Sequence, residues 1–284
     1  MPWFRVYNCL NFPQHRVMEK NSAKKTAIVV GGSSGIGYET CLRLVNRGWN
    51  VVNISRTPCK NSKVVNLSAD VAAGSALVDA IKQAQEKYGI SALIYSAGFS
   101  MAAPIEYADE TDYRYLFDVN YFGALKAVRA VIPALKSKGG RIVLVGSLGG
   151  EYPISFDSFY SSSKAALEML CRSAYCELKP YNIKVTGILP GGTATNFTKK
   201  RKVYSDEENK SYSGNVNRAV AALANMEQSG MSPEAVAEII YNTLVEDKPP
   251  VIRICGVKNT VLRLVSRVMP EKITLKINQR MFNQ

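Results

Sequence analysis

Strand-like and helix-like segments alternate along nearly the whole chain, and this order constrains the fold more than any other feature. TAIVV (26–30), WNVVNIS (49–55), KVVNL (63–67), SALIYSA (91–97), GRIVLVG (140–146), IKVTGIL (183–189) and PVIRIC (250–255) are short apolar runs rich in Val and Ile. Their near-continuous apolarity suits strands buried on both faces of a parallel sheet. Between them lie the helix-forming stretches YETCLRLVNRG, SALVDAIKQAQEKYG and PEAVAEIIYNTLVED, a long one over about 109–138, and another over 156–178. A βαβαβ order of this kind predicts one doubly wound α/β domain, with ligands at the carboxyl ends of its strands. At 284 residues with 46% apolar side chains the chain is long enough to bury such a core.

No low-complexity linker or internal repeat divides the sequence. We therefore expect a single Rossmann-like domain with a central parallel sheet over residues 25–256. It is preceded by a basic extension over 1–24 and followed by an amphipathic extension over 257–284, where a second short helix starts near Pro270. The least regular region, about 193–213, carries TNFTKKRKVYSDEENKSYS after a strand. A long charged loop in that position is suited to act as a substrate lid.

Composition removes whole classes of chemistry. His15 is the only histidine, so a Ser-His-Asp hydrolase, a HExxH protease or a site with several histidine ligands is excluded, and we expect no metal. Proton transfer must fall to tyrosine, lysine or a carboxylate. Six scattered cysteines without a CxxC pair suit reduced thiols and a cytoplasmic protein. No segment approaches the roughly 18 apolar residues that span a bilayer. The net charge of +13 has no aromatic-interleaved basic platform beside it. It therefore points to a phosphate-rich small molecule rather than nucleic acid.

Two motifs carry the chemistry. The first strand runs into Gly31-Gly32-Ser33-Ser34-Gly35-Ile36-Gly37 and then a helix. Glycines allow a tight turn and close approach of a pyrophosphate, and free amides at a helix N-terminus attract the anion. Farther on, Tyr160 and Lys164 stand four residues apart at the head of an apolar helical run, so the ammonium sits one turn from the phenol and favours its ionisation.

Together with other ordered motifs, these segments resemble the short-chain dehydrogenase/reductase family from about Thr26 to Cys255. The glycine motif, with Val30 in the place usually held by Thr, and Tyr95-Ser96-Ala97-Gly98, which keeps the Ala-Gly half of Asn-Asn-Ala-Gly, both correspond to it. The resemblance implies a catalytic tetrad of Asn120 in DVNYFG, Ser147 in GRIVLVGSLGG, Tyr160 and Lys164. Tyr160 would be the general acid and base, Ser147 would hold the carbonyl, and Asn120 would hold a proton-relay water.

The family pattern also implies cofactor contacts from Gly31, Ser33, Ser34, Gly35, Ile36, Gly37, Asp70, Val71, Ala97, Gly98, Asn120, Tyr160, Lys164, Pro190, Gly191, Thr193 and Thr195. At the end of the second strand, NISRT offers Ser55 and Arg56 with no carboxylate. A guanidinium there matches a 2′-phosphate, which implies NADP(H).

Ser147, Tyr152, Tyr160 and Phe197 are the expected substrate contacts. The basic, apolar tail resembles that of members acting on steroids or long-chain keto-lipids, as a channel wall or a peripheral membrane contact. The expectation is an NADP(H)-dependent ketone/secondary-alcohol oxidoreductase with a hydrophobic, steroid-like substrate, assembled as a homodimer or homotetramer through the two long helices. A 3-oxoacyl or 3-ketosphingoid reductase and a nucleotide-sensing regulatory protein are the alternatives.

Overall fold

The computed structural model describes residues 24–204, 210–212 and 214–283. Residues 1–23 of the expected N-terminal extension, with Cys9 and His15, lie outside the described residues, as do 205–209 and 213 of the expected lid.

The chain begins with β1 (Thr26–Val30), α1 (Gly35–Asn46), β2 (Asn50–Ile54), β3 (Val64–Leu67), α2 (Ala76–Tyr88), β4 (Ala92–Tyr95) and β5 (Met101–Ala102). Next come α3 (Glu110–Phe117), α4 (Gly123–Lys136), β6 (Gly140–Val145), α5 (Ser158–Leu178), β7 (Ile183–Leu189) and β8 (Lys202–Val203). The remainder is α6 (Asn215–Gln228), α7 (Pro233–Val245), β9 (Ile252–Ile254), α8 (Val257–Val268) and α9 (Glu271–Asn283). Seven of the strands form one parallel sheet in the order β3-β2-β1-β4-β6-β7-β9.

The order reverses between β1 and β4, so the loops leaving those strands diverge and open a crevice, the place where this topology binds ligands. Alternation of side chains along β1 explains why both faces are covered. Ile28 and Val30 join the core packed under α2, α4 and α5, whereas Ala27 and Val29 join the core under α1 and α7. Helix starts are fixed locally. Asp109 accepts a hydrogen bond from the Thr111 amide ahead of α3, and Ser232 accepts one from Ala235 with Pro233 at the first helical position of α7.

Three features depart from the sequence expectation. The long helix over 109–138 is interrupted by a π-helical turn at Asp118–Phe122, between α3 and α4. Such a turn adds a residue to the helical repeat and re-aims a side chain, here Asn120. The segment Lys202–Val203 pairs with Met101–Ala102 as a second, two-stranded sheet, so this part of the expected lid is docked as β8 against β5. Helix α6 had no counterpart in the expectation at all. Among the described residues no helix is long and apolar enough to cross a membrane.

Candidate active site

The helix α5 places Tyr160 and Lys164 side by side on its inward face, both buried. Lys164 Nζ donates to the Val145 carbonyl at the end of β6 at 3.0 Å and lies 5.7 Å from the centre of the Tyr160 ring. Burial lowers the lysine to about 8 and raises the tyrosine above its ordinary value. A phenol so raised stays protonated through neutral pH, as a proton donor must.

Ser147, just past the end of β6, accepts from the Gly149 amide at 3.0 Å, which leaves its own proton for the Tyr160 oxygen, whose ionisation it favours. Asn120 is fully buried. Its amide donates to the Phe99 carbonyl and to Ser163 Oγ, and its Oδ1 accepts from the Phe99 amide, each at 3.0 Å. That side chain is spent on holding the π-helical turn to the strand β4 exit loop. A water held by residue 120 would therefore use its main-chain carbonyl.

The sequence passes over the group that braces this turn. Tyr95, which stands where the family pattern has asparagine, is fully buried and donates to the Val119 carbonyl at 2.5 Å. A Cβ on Gly123 would run into that hydroxyl, so glycine is required there. Asn53 does similar work under the glycine loop. Its Oδ1 accepts from the Gly32 amide at 2.8 Å, and its amide donates to Asn66 and Ser55. Ser55 in turn donates to the Thr57 carbonyl at 2.6 Å, which fixes the turn that presents Arg56.

A cradle of dinucleotide shape lies at the carboxyl ends of β1, β2 and β4. Gly37 packs its Cα onto the Gly31 carbonyl so closely that a Cβ would collide with it, which keeps the α1 terminus against the loop. The N-cap Ser34 makes no side-chain bond to the α1 amides, leaving them to an anion. Lys200 Nζ reaches across from the 193–204 segment to donate to Ser34 Oγ at 3.3 Å. Arg56 is 71% exposed, donates to Tyr115 Oη at 3.2 Å and stands 3.8 Å from Asp70. The residues present thus fit a group with a diphosphate and a further phosphate. Lys200 was missed because a lysine within Lys199-Lys200-Arg201-Lys202 reads as part of a solvated charged run.

A cavity of about 830 Å³ joins this cradle to the tetrad. It is lined by Gly31, Ser33, Ser34, Gly35 and Ile36 of the loop, by Ser55, Arg56, Asp70, Val71, Ala97 and Gly98, and by Pro190, Gly191, Thr193 and Thr195. Ser147, Tyr152, Tyr160, Lys164 and Phe197 also line it. Gly37 and Asn120 stand behind this wall as supports. Thr195 abuts the glycine loop and accepts from the Phe197 amide at 3.1 Å, and the Phe197 ring packs on Tyr160 with 5.7 Å between centres.

The far wall comes from the C-terminal extension and is mostly apolar, through Leu262, Val265 and Met269 of α8 and its end and Ile277, Met281 and Phe282 of α9, with Asn259, Ser266, Thr274 and Asn278 set among them. Helix α8 is clamped to the core by Arg263 on Glu151 and by a 2.9 Å hydrogen bond between Tyr152 and Ser266. Among the described residues no cluster of His, Cys, Asp or Glu could hold a metal ion.

This arrangement pairs a proton donor and a dinucleotide cradle with an apolar chamber. Residues 25–205 match the family profile of short chain dehydrogenases. The chain is 30% identical to a 3-ketodihydrosphingosine reductase of Bacteroides thetaiotaomicron, over 78% of this chain and 84% of the relative. It is 28% identical to an NADPH-dependent 1-acyldihydroxyacetone phosphate reductase of Saccharomyces cerevisiae, over 88% of this chain and 89% of that protein. A short-chain dehydrogenase structure from Streptomyces avermitilis superposes with a TM-score of 0.77 at 27% identity, covering 87% of this chain and 94% of the other. Fold and profile agree, and the chain belongs to the short-chain dehydrogenase family of oxidoreductases acting on carbonyl and hydroxyl groups.

Proposed function

We propose that the protein is an NADP(H)-dependent reductase of a long-chain keto-lipid, interconverting the ketone and its secondary alcohol. The observation that carries this reading is the position of Tyr160, at the junction of the dinucleotide cradle and an apolar chamber walled by α8 and α9. The relatives' names favour the keto-lipid alternative over the steroid substrate expected from sequence. The intact tetrad argues against a purely nucleotide-sensing role.

In this reading the nicotinamide, when bound, supplies or accepts the hydride. Tyr160 gives its proton to the ketone oxygen as charge develops there, and takes it back in the reverse direction. Ser147 donates to the same oxygen and holds the carbonyl in place. Lys164 favours ionisation of the phenol and anchors the floor of the site on β6. Arg56 and Lys200 supply cations for the 2′-phosphate and the diphosphate respectively.

Turnover of NADPH with matched ketones tests the assignment. A long-chain 3-keto-lipid should be reduced with a higher kcat/KM than a steroid ketone. Steroid preference would restore the original expectation, and no turnover of any ketone would favour the sensing role.

The same reading includes a lipid surface as partner. Val257, Val261, Leu264 and Val268 recur at one face of α8, each between 46% and 79% exposed, while Leu262 and Val265 turn toward the cavity. Lys258 and Arg267 stand on α8 with this stripe, and Lys272, Lys276 and Arg280 recur along α9, a composition suited to an anionic membrane interface. Co-sedimentation with phosphatidylserine vesicles but not with phosphatidylcholine vesicles is the expected result. We further propose pairing of two subunits through α4 and α5, where Met169 is 62% exposed. Light scattering should then give at least a dimer at micromolar concentration, and a monomer would contradict it.

A further inference from the structure

The two relatives' substrate names differ in the group beside the ketone: a sphingoid base carries an amine there, and the other carries a phosphate ester. Building on the keto-lipid reading, we infer that Asp157 and Glu227 make this cavity selective for a 2-amino-3-ketone. Both carboxylates line the cavity. Asp157 stands one helical turn before Tyr160 at the start of α5, so the two side chains share a face. In a 2-amino-3-ketone the nitrogen sits on the carbon next to the carbonyl. A ketone oxygen held by Tyr160 therefore places the ammonium one carbon away in the chamber that Asp157 and Glu227 line.

Charge at this end of the cavity is uneven. Arg201 is the cation among these groups, and its side chain is only 1% exposed, behind the wall. Its Nη2 donates to Glu227 at 2.5 Å, and its Nε donates to Ser100 Oγ at 2.9 Å. Ser100 passes the link on by donating to Asp157 at 2.8 Å. One guanidinium thus serves two carboxylates on this wall of the cavity.

Burial pushes Asp157 up to about 7, in spite of the nearby guanidinium. An ammonium placed beside it would favour the ionised form against that desolvation. A phosphate ester would instead meet two like charges in a partly desolvated site. Of the cations lining the cavity, Lys200 and Arg56 belong to the dinucleotide cradle and Lys164 is bonded to the Val145 carbonyl.

A structural role for the same network is the competing explanation, because Arg201 also ties the 193–204 segment to α6 and, through Ser100, to the start of α5. The two roles separate in the ratio of kcat/KM for matched substrates. The full-length protein and NADPH are assayed with a long-chain 2-amino-1-hydroxy-3-ketone, its desamino analogue of equal chain length, and a 1-acyldihydroxyacetone phosphate. Wild type should prefer the amine over the desamino ketone by about tenfold or more, and should use the phosphate worst. Asp157→Asn and, independently, Glu227→Gln should each bring the amine-to-desamino ratio toward one.

Equal use of amine and desamino ketones by wild type overturns the inference while leaving the keto-lipid reading intact. So does a preference for the phosphate, or a loss in both variants that is the same for both ketones. Failure to reduce any of the three overturns both proposals. The wild-type comparison stands even if a variant does not fold.

Discussion

Tyr160→Phe should lower ketone reduction by roughly 10²- to 10⁴-fold while retaining the fold and NADPH binding. The substitution removes only the hydroxyl. The ring keeps its contact with Phe197 and its place in the cluster with Met101, Leu116 and Tyr204. Lys164→Met gives the complementary result, because its stem still packs in the buried site but its charge is gone. Alcohol oxidation needs the phenolate, and removing the cation raises the phenol further, so the rising limb of the oxidation pH profile should move alkaline as activity falls. In the wild type Lys164 titrates at about 8, so its support for the phenolate fades above that pH. Reduction needs the protonated phenol, and burial holds Tyr160 in that form across the neutral range. Near-wild-type turnover by Tyr160→Phe would remove tyrosine from the mechanism, and an unmoved oxidation profile in Lys164→Met would make the lysine merely structural.

The second large effect concerns the cofactor. Arg56→Ala should weaken NADPH by about tenfold or more and leave NADH nearly unchanged, because only NADPH has a 2′-phosphate. Arg56 is accessible for that contact, since its side chain is 71% exposed and its links to Tyr115 and Asp70 lie at the surface. Lys200→Ala supplies the control. The diphosphate is common to both cofactors, so both should weaken together, by about two- to fivefold for an exposed lysine. Fluorescence titration of NADPH and NADH against the three proteins distinguishes these patterns. Intact NADPH affinity in Arg56→Ala, or NADH preference in the wild type, would refute the assignment at the end of β2.

The parts of this protein legible in its sequence are those in which one physical requirement repeats. Strands β1, β6 and β7 are buried on both faces over most of their length and so read as near-continuous apolar runs. The glycine loop follows because strand, turn and helix must succeed one another there. Strands β5 and β8 have two residues each, too few for any period to show. The π-helical turn is set by tertiary contacts from Tyr95 and Phe99 and leaves the amphipathic pattern of 109–138 intact. Asp157, Arg201 and Glu227 come from three distant segments and meet only in the fold, and each alone reads as an ordinary surface charge. Asn53 does carry a local signal of its bracing role, as a polar residue within an apolar strand.

The most direct test of the account follows the hydride itself. NADPH carrying deuterium at C4 of the nicotinamide, supplied as each epimer in turn, is incubated with the protein and a long-chain ketone, and the alcohol is analysed by mass spectrometry. The account predicts an alcohol heavier by one deuterium at the carbinol carbon with one epimer and not with the other, and no labelled product above background from Tyr160→Phe in the same interval. Unlabelled alcohol from both epimers, or no alcohol from any long-chain ketone, would contradict it.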